Sequence, residues 1–107
     1  MANLLRETLC VMERNGVSPK DGPIYVMDNE SFCFWDEFAI VADNYNYDSG
    51  FGSAEVNEDL KIIGYNWWME RREYDGAEWW EFKKRPQLGT QRHTTQIDLR
   101  CNFNRRV

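Results

Sequence analysis

Long apolar runs are missing from this sequence, whose mean hydropathy is −0.72. A transmembrane helix needs about 20 apolar residues in succession, so we expect no membrane span. The first ten residues, MANLLRETLC, also lack the basic start and the apolar stretch of roughly 7–15 residues that are typical of a secretory signal. We therefore expect a cytoplasmic protein that has no membrane partner.

Histidine and cysteine are scarce, which leaves few residues for metal binding. The one histidine is His93, and the three cysteines, Cys10, Cys33 and Cys101, are widely spaced without a CxxC pair. An odd number of cysteines argues against a disulfide framework, and a zinc site would need all four of these residues to converge. We expect buried free thiols, no metal and no cofactor.

Signatures of catalysis are also few. No serine lies in a GxSxG motif, and His93 follows Arg92 without a carboxylate within helical reach. A glycosidase-like pair of Glu70 and Glu81 stays open, because carboxylates are numerous. A chain of 107 residues with one large hairpin rarely forms the deep cleft that such a pair needs. We expect that the protein is not an enzyme.

Cations are absent from residues 21–60, although the chain holds 13 lysines and arginines. Random mixing would place roughly five of them in a window of that size. The same window holds ten carboxylates: Asp21, Asp28, Glu30, Asp36, Glu37, Asp43, Asp48, Glu55, Glu58 and Asp59. Residues 82–107 reverse the sign, with seven basic residues against Asp98. The net charge of −5 therefore hides a strong segregation of charge along the chain.

Two interpretations of this segregation are open. The basic C-terminal segment can neutralise the acidic stretch within the fold, so that the remaining charge only keeps the protein soluble. Alternatively, an acidic face imitates the phosphates of a nucleic acid and occupies the Lys/Arg-lined groove of a partner protein. Direct nucleic-acid binding is disfavoured by the acidic net charge. In the second interpretation, the contact residues in this stretch are Asp36, Glu37, Asp43, Asp48, Glu55, Glu58 and Asp59.

The first half of the chain predicts two helices and two short strands. Leu5, Leu9 and Met12 form a helical stripe within residues 3–15, and Gly16 stands where a left-handed residue ends a helix. Short β-rich segments follow at 24–28 and 31–34. Helical spacing of apolar residues then predicts a second helix near 35–44, with acidic residues in its first turn.

The second half predicts mainly strands. Residues 45–59 are rich in Gly, Ser and acids and indicate a surface loop, whereas residues 60–64 indicate a strand. Strands at 67–73 and 77–83 flank the strongest hairpin signal in the chain, and residues 95–104 alternate with a period of two. We predict an α+β fold in one domain, 1–107, with two helices packed on an antiparallel sheet of about four to six strands and a central Trp-rich hairpin.

The register of this hairpin decides which side chains oppose each other. A two-residue turn at Asp75 and Gly76 would pair Tyr74 with Ala77 and place Glu73 opposite Glu78. Opposed like charges are unfavourable by a few tenths of a kcal/mol or more. A three-residue loop that pairs Glu73 with Ala77 avoids this opposition, so we predict the three-residue register.

Each hairpin strand carries two adjacent tryptophans, and adjacent residues of a strand point to opposite faces. We expect Trp68 and Trp79 to anchor an interface, with contact charge from Glu73, Asp75 and Glu78 at the hairpin tip. Three uses of such tryptophans are open: a protein-binding hot spot, stacking on sugars or bases, or a purely structural role with arginines lying over the indoles.

Residues 48–86 read DSGFGSAEVNEDLKIIGYNWWMERREYDGAEWWEFKKRP and contain the distinctive pattern WWxERxEYDGxEWWEF. This run resembles the core of a group of small acidic proteins carried by phages and mobile elements of gut bacteria, which are similar in size and charge to anti-CRISPR proteins. Weaker similarity lies in MANLLRETL and WDEFAIVAD, and none covers the basic segment after Pro86.

The resemblance implies a non-catalytic inhibitor that acts in the bacterial cytoplasm. Its partner would be the basic groove of a defence nuclease complex, a CRISPR-Cas protein, which it would block sterically or by charge mimicry. The alternative is a protein-interaction or immunity module that binds one protein through an exposed Trp hairpin, without mimicry of nucleic acid.

Overall fold

Two helices and seven strands make up the computed structural model, which describes residues 1–48, 50 and 52–101. The elements are β1 (Ala2–Asn3), α1 (Leu4–Arg14), β2 (Tyr25–Met27), β3 (Phe32–Phe34), α2 (Trp35–Asp43), β4 (Asn46–Tyr47), β5 (Lys61–Ile63), β6 (Trp67–Tyr74) and β7 (Ala77–Lys84). The predicted α+β class with a Trp-rich hairpin is confirmed.

The main sheet is antiparallel and has the order β3-β2-β5-β6-β7, and the short strands β1 and β4 form a separate pair. Val26, Ile62 and Met69 lie side by side on the inner face and are buried. Helix α1 packs on β7, and α2 packs on β2 and β3. No helix among the described residues covers the other face, which we call the outer sheet face.

Helix α1 has the start and the end that its sequence predicts. The Asn3 side chain accepts a hydrogen bond from the Arg6 backbone N–H at 3.0 Å, which caps the first turn. At the other end, Gly16 takes a left-handed φ of 74°, which costs glycine little because it has no Cβ.

The buried side of α1 differs from the predicted stripe. Its buried residues are Leu4, Thr8, Val11 and Met12, whereas Leu9 is 38% exposed. The Thr8 hydroxyl donates to the Leu4 carbonyl at 2.7 Å and accepts from the Trp80 indole N–H at 2.9 Å. Thr8 can therefore lie in the core because both partners are supplied, a pairing that apolar periodicity does not reveal.

The hairpin register is the two-residue one, so the predicted three-residue register was wrong. Tyr74 pairs with Ala77, and Glu73 stands opposite Glu78. The turn residues Asp75 and Gly76 both have positive φ, at 52° and 86°, as a type I′ turn requires. The like-charge opposition is tolerated because Glu78 is buried against a cation, whereas Glu73 is exposed to water.

The four tryptophans of the hairpin divide between the two faces of the main sheet as expected. Trp67 and Trp80 are buried, and Trp67 stacks on Phe82 with 5.5 Å between the ring centroids. Trp68 is half-buried on the outer sheet face, where Trp79 is 42% exposed. Only the indoles on the inner face belong to the core.

The strand predicted at 95–104 is not formed over its described part. Residues 95–101 contain no strand, and residues 102–104 lie outside the described residues. Ile97 is 75% exposed and Leu99 is 90% exposed. An alternating sequence permits a strand but is not sufficient to form one. The backbone of a strand must also hydrogen-bond to a neighbouring strand, and residues 95–101 have no such neighbour in the described structure.

Candidate functional site

A buried ionic cluster lies beneath the hairpin. Arg71 on β6 forms ion pairs with Glu7 on α1, at 2.7 Å, and with Glu78 on β7, at 2.9 Å. The guanidinium lies 4.8 Å from the centroid of the Trp80 ring and donates to the Tyr47 hydroxyl at 3.2 Å. Burial and the Glu7 hydrogen bond raise the pKa of Tyr47 to about 12. The cluster thus joins α1, β4 and the hairpin through charge-assisted hydrogen bonds.

Glu78 also holds the loop that follows β4. Its carboxylate accepts hydrogen bonds from the Glu55 and Val56 backbone N–H groups, at 2.7 and 3.1 Å. The loop packs closely on the turn, since a Cβ built on Gly76 would lie 3.4 Å from the Gly52 carbonyl oxygen. Glu78 was expected to be a contact charge at the surface. Its side chain is instead only 2% exposed and is structural.

The docked loop brings acidic residues from distant parts of the sequence to one end of the molecule. Glu58 and Glu73 line the same cavity of about 300 Å³, and Asp48 and Glu55 are joined by a hydrogen bond from the Asp48 backbone to the Glu55 carboxylate. We define the acidic end as the exposed carboxylates of Asp48, Glu55, Glu58, Glu73 and Asp75.

The remaining predicted carboxylates are exposed as well. Asp36 and Glu37 lie in the first turn of α2, where the helix dipole favours them, and Glu37 accepts a hydrogen bond from the Phe34 backbone. Asp43 lies in the last turn of α2, and Asp59 just precedes β5. The predicted contact charges therefore occupy two regions: the acidic end and the side of the molecule around α2.

Within the described residues, the carboxylates of 21–60 form no ion pair. The ion pairs join Arg71 to Glu7 and Glu78, join Arg72 and Lys83 to Glu70 and Glu81, and join Arg100 to Asp98. As far as residue 101, the basic C-terminal segment thus does not pair with the acidic stretch. Arg105 and Arg106 lie outside the described residues.

The outer sheet face carries a ladder of opposite charges. Glu70 and Glu81 are opposed in the register, and Lys83 bonds to both, at 2.8 and 3.3 Å. Arg72 lies 3.3 Å from Glu81. The hydrogen bond from Lys83 lowers the pKa of Glu70, and the one from Arg72 lowers the pKa of Glu81. A glycosidase acid needs a raised pKa, so this pair does not suit that chemistry.

An aromatic group occupies the β2–β3 side of the same face. Tyr25, Phe32 and Phe34 are exposed and contact one another, with ring centroids 5.6–6.3 Å apart. Sequence reasoning missed this group, although alternation in IYVMD and SFCF would have placed these rings on one face. Trp79 lies on that face too, but it is on β7, and two strands, β5 and β6, lie between β7 and β2.

Histidine, cysteine and acidic residues do not assemble a metal site in the part of the chain that the structure describes. No group of three or more His, Cys, Asp or Glu residues there could hold a metal ion. The cysteines differ from the expected buried thiols, because Cys10 and Cys101 are exposed and Cys33 is half-buried. His93 is exposed.

Comparisons with protein-family models, with curated proteins and with solved structures find no match to this chain. Neither helix in the described part of the chain is long and apolar enough to cross a membrane.

Proposed function

We propose that this chain is a non-enzymatic binding protein whose acidic surface occupies the cationic groove of a nucleic-acid-binding protein. The supporting observation is that the ten carboxylates of residues 21–60 have no ion-pair partner among the described residues. The partner that we propose is a bacterial defence nuclease complex of the CRISPR-Cas type, met in the cytoplasm of the host cell.

The physical basis is competition for one set of cations. A groove lined by Lys and Arg attracts the phosphates of its nucleic acid, and an acidic protein surface of similar charge density is attracted by the same field. Carboxylates already bound to cations of their own chain would contribute little to that attraction. The carboxylates of residues 21–60 form no ion pair within the described residues, so their charge is available to a partner.

The acidic end is the best-placed contact region. Glu78 holds the loop carrying Asp48 and Glu55 against the hairpin tip, so these carboxylates have fixed positions. A preorganised surface loses less conformational entropy on binding than a flexible acidic tail would. The buried ionic cluster therefore supports the binding surface without touching the partner.

Charge reversal with a matched control tests this proposal. Glu58 and Glu13 are both exposed glutamates without an ion pair in the described structure, and Glu58→Lys and Glu13→Lys change the net charge equally. We expect Glu58→Lys to weaken binding to a purified Cas nuclease complex at least tenfold, measured by displacement of a labelled DNA duplex. Glu13→Lys should change it less than about threefold. Equal effects of the two variants would contradict a localised acidic contact.

A second candidate function is a protein-interaction or immunity module that binds through the outer sheet face. The observation that favours it is the exposure there of Trp79 together with the aromatic group of β2 and β3. Aromatic side chains are enriched at binding hot spots. In this case Trp79→Ala would abolish binding to the partner, whereas Glu58→Lys would leave it unchanged.

A further inference from the structure

An apolar cavity of about 360 Å³ lies between α2, the β2–β3 hairpin and the segment before β5. Val26, Phe38, Ala42 and Val56 contribute buried walls. At its mouth, Val41 on α2 is 66% exposed. The volume is at the small end of the range for ligand pockets, which suits one large side chain better than an extended molecule.

The mouth of this cavity is anionic. Asp28 lines it, and its carboxylate accepts hydrogen bonds from the Glu30 and Ser31 backbone N–H groups, at 2.9 and 2.8 Å. These bonds hold the pKa of Asp28 below its usual value. Cys33 also lines the cavity, and burial followed by the charge of Glu37 raises the pKa of its thiol. Asp28 is the charged residue that lines this cavity.

Except for Leu4, all residues that line the cavity lie between 26 and 60, within the stretch that lacks lysine and arginine. Asp28 would repel an occupant with its own negative charge, and a neutral occupant would gain nothing from that carboxylate. An occupant that is apolar at its tip and flanked by cations would match both the walls and the mouth.

We propose that the cavity receives one large apolar side chain, such as Phe, Leu or Met, from a partner segment in which Lys or Arg residues flank it. This inference deepens the proposed function and rests on it, because it states how a Lys/Arg-lined groove would be anchored to the acidic surface. Hot spots in interfaces commonly lie in well-packed, desolvated pockets.

Three synthetic peptides test the proposal on the intact chain. The first carries Lys-Lys-Phe-Lys-Lys between Gly-Ser ends, the second replaces Phe with Ala, and the third replaces the lysines with Glu. We expect the first to bind at least tenfold more tightly than either of the others, and to shift the NMR amide signals of Phe38, Ala42 and Val56. It should also slow the reaction of Cys33 with a thiol reagent in a chain carrying Cys10→Ser and Cys101→Ser.

Two neighbouring residues of α2 provide matched variants. Val41 lines the cavity, whereas Ile40 is similarly exposed, at 69%, and is not part of its lining. Val41→Lys should weaken binding of the Phe peptide at least tenfold, and Ile40→Lys less than about threefold, because only Val41 lies at the mouth. Both variants add the same charge, so charge alone cannot explain a difference between them.

Several outcomes would overturn the proposal. If the Phe and Ala peptides bound with equal affinity, the cavity would not select an apolar side chain, and only a general attraction of cations would remain. If the Glu peptide bound as tightly as the Phe peptide with lysines, the cavity would not select flanking cations. Concentration-dependent dimerisation that Val41→Lys abolishes would assign the cavity to a second copy instead. None of these results would alter the effect of Glu58→Lys on nuclease binding. The proposed function is therefore tested independently of the cavity.

Discussion

Replacement of Glu78 by alanine tests whether the buried ionic cluster supports the acidic end. The change removes a carboxylate that is 2% exposed and pairs with Arg71 at 2.9 Å. It also leaves the Glu55 and Val56 backbone N–H groups, which now donate to Glu78 at 2.7 and 3.1 Å, without their acceptor. Three buried or partly buried donors therefore lose a partner at once.

The magnitude follows from the cost of leaving such groups unpaired. Breaking a buried ion pair by removal of one partner costs about 3–5 kcal/mol. Arg71 keeps Glu7 at 2.7 Å, so we expect the lower part of that range, about 3 kcal/mol. Domains of this size are stabilised by roughly 5–15 kcal/mol in total, and each kcal/mol lowers Tm by about 4–8 °C. Glu78→Ala should therefore lower Tm by about 12–24 °C.

Urea denaturation followed by tryptophan fluorescence measures this loss. Glu73→Ala is the matched control, because Glu73 stands directly opposite Glu78 but is exposed. It should change the free energy of unfolding by no more than about 0.5 kcal/mol. A loss below about 1 kcal/mol for Glu78→Ala, or equal losses for the two variants, would refute the structural role that we assign to Glu78.

Three further predictions concern other parts of the molecule. Trp80→Ala should cost about 3–5 kcal/mol of unfolding free energy, whereas Trp79→Ala should cost less than about 1 kcal/mol, because only Trp80 is buried; urea titrations compare them. Tyr47 stays neutral in the fold, with a pKa raised to about 12, so its contribution to stability is complete below about pH 10 and is lost as pH rises from there to about 12. An absorbance titration should show a late tyrosine step that Tyr47→Phe removes; its persistence in that variant would contradict the assignment. Deletion of residues 95–107 removes three arginines and one aspartate, which takes the net charge from −5 to −7. Calorimetry should show a Tm change below about 3 °C, because residues 95–101 are exposed, and a larger drop would mean that the segment stabilises the fold.

Local signals in the sequence were sufficient for most of the fold. Gly16 follows the end of α1, and the Asp75–Gly76 turn places the hairpin. These features act through neighbouring residues, so the sequence alone reveals them. Residues 95–104 show the limit of such signals: alternation was present, but a strand also depends on a partner that local sequence does not specify.

The prediction of the hairpin register was wrong for a related reason. The prediction rests on the residues that face each other directly across the two strands, and opposed glutamates repel each other. In the structure, Glu78 is neutralised by Arg71, and Lys83 bridges the other opposed pair. These contacts involve residues that are not directly opposite, so a pairwise comparison could not include them.

The candidate site was predicted in part. Nine of the ten carboxylates that we expected at a contact surface are exposed, and the tenth, Glu78, is buried. Acidic residues are generally exposed, so the exposure of these nine could be predicted without knowledge of the tertiary structure. Glu78 is an exception because Arg71 and two backbone N–H groups of a distant loop surround it.

The salt dependence of binding tests the central claim most directly. The affinity for a purified Cas nuclease complex would be measured between about 0.05 and 0.5 M salt, a range over which the screening length falls to a few ångströms. Contact between unpaired carboxylates and a cationic groove predicts that the affinity falls steeply and continuously across this range. An affinity that stays constant would contradict charge mimicry and would favour binding through the aromatic outer sheet face.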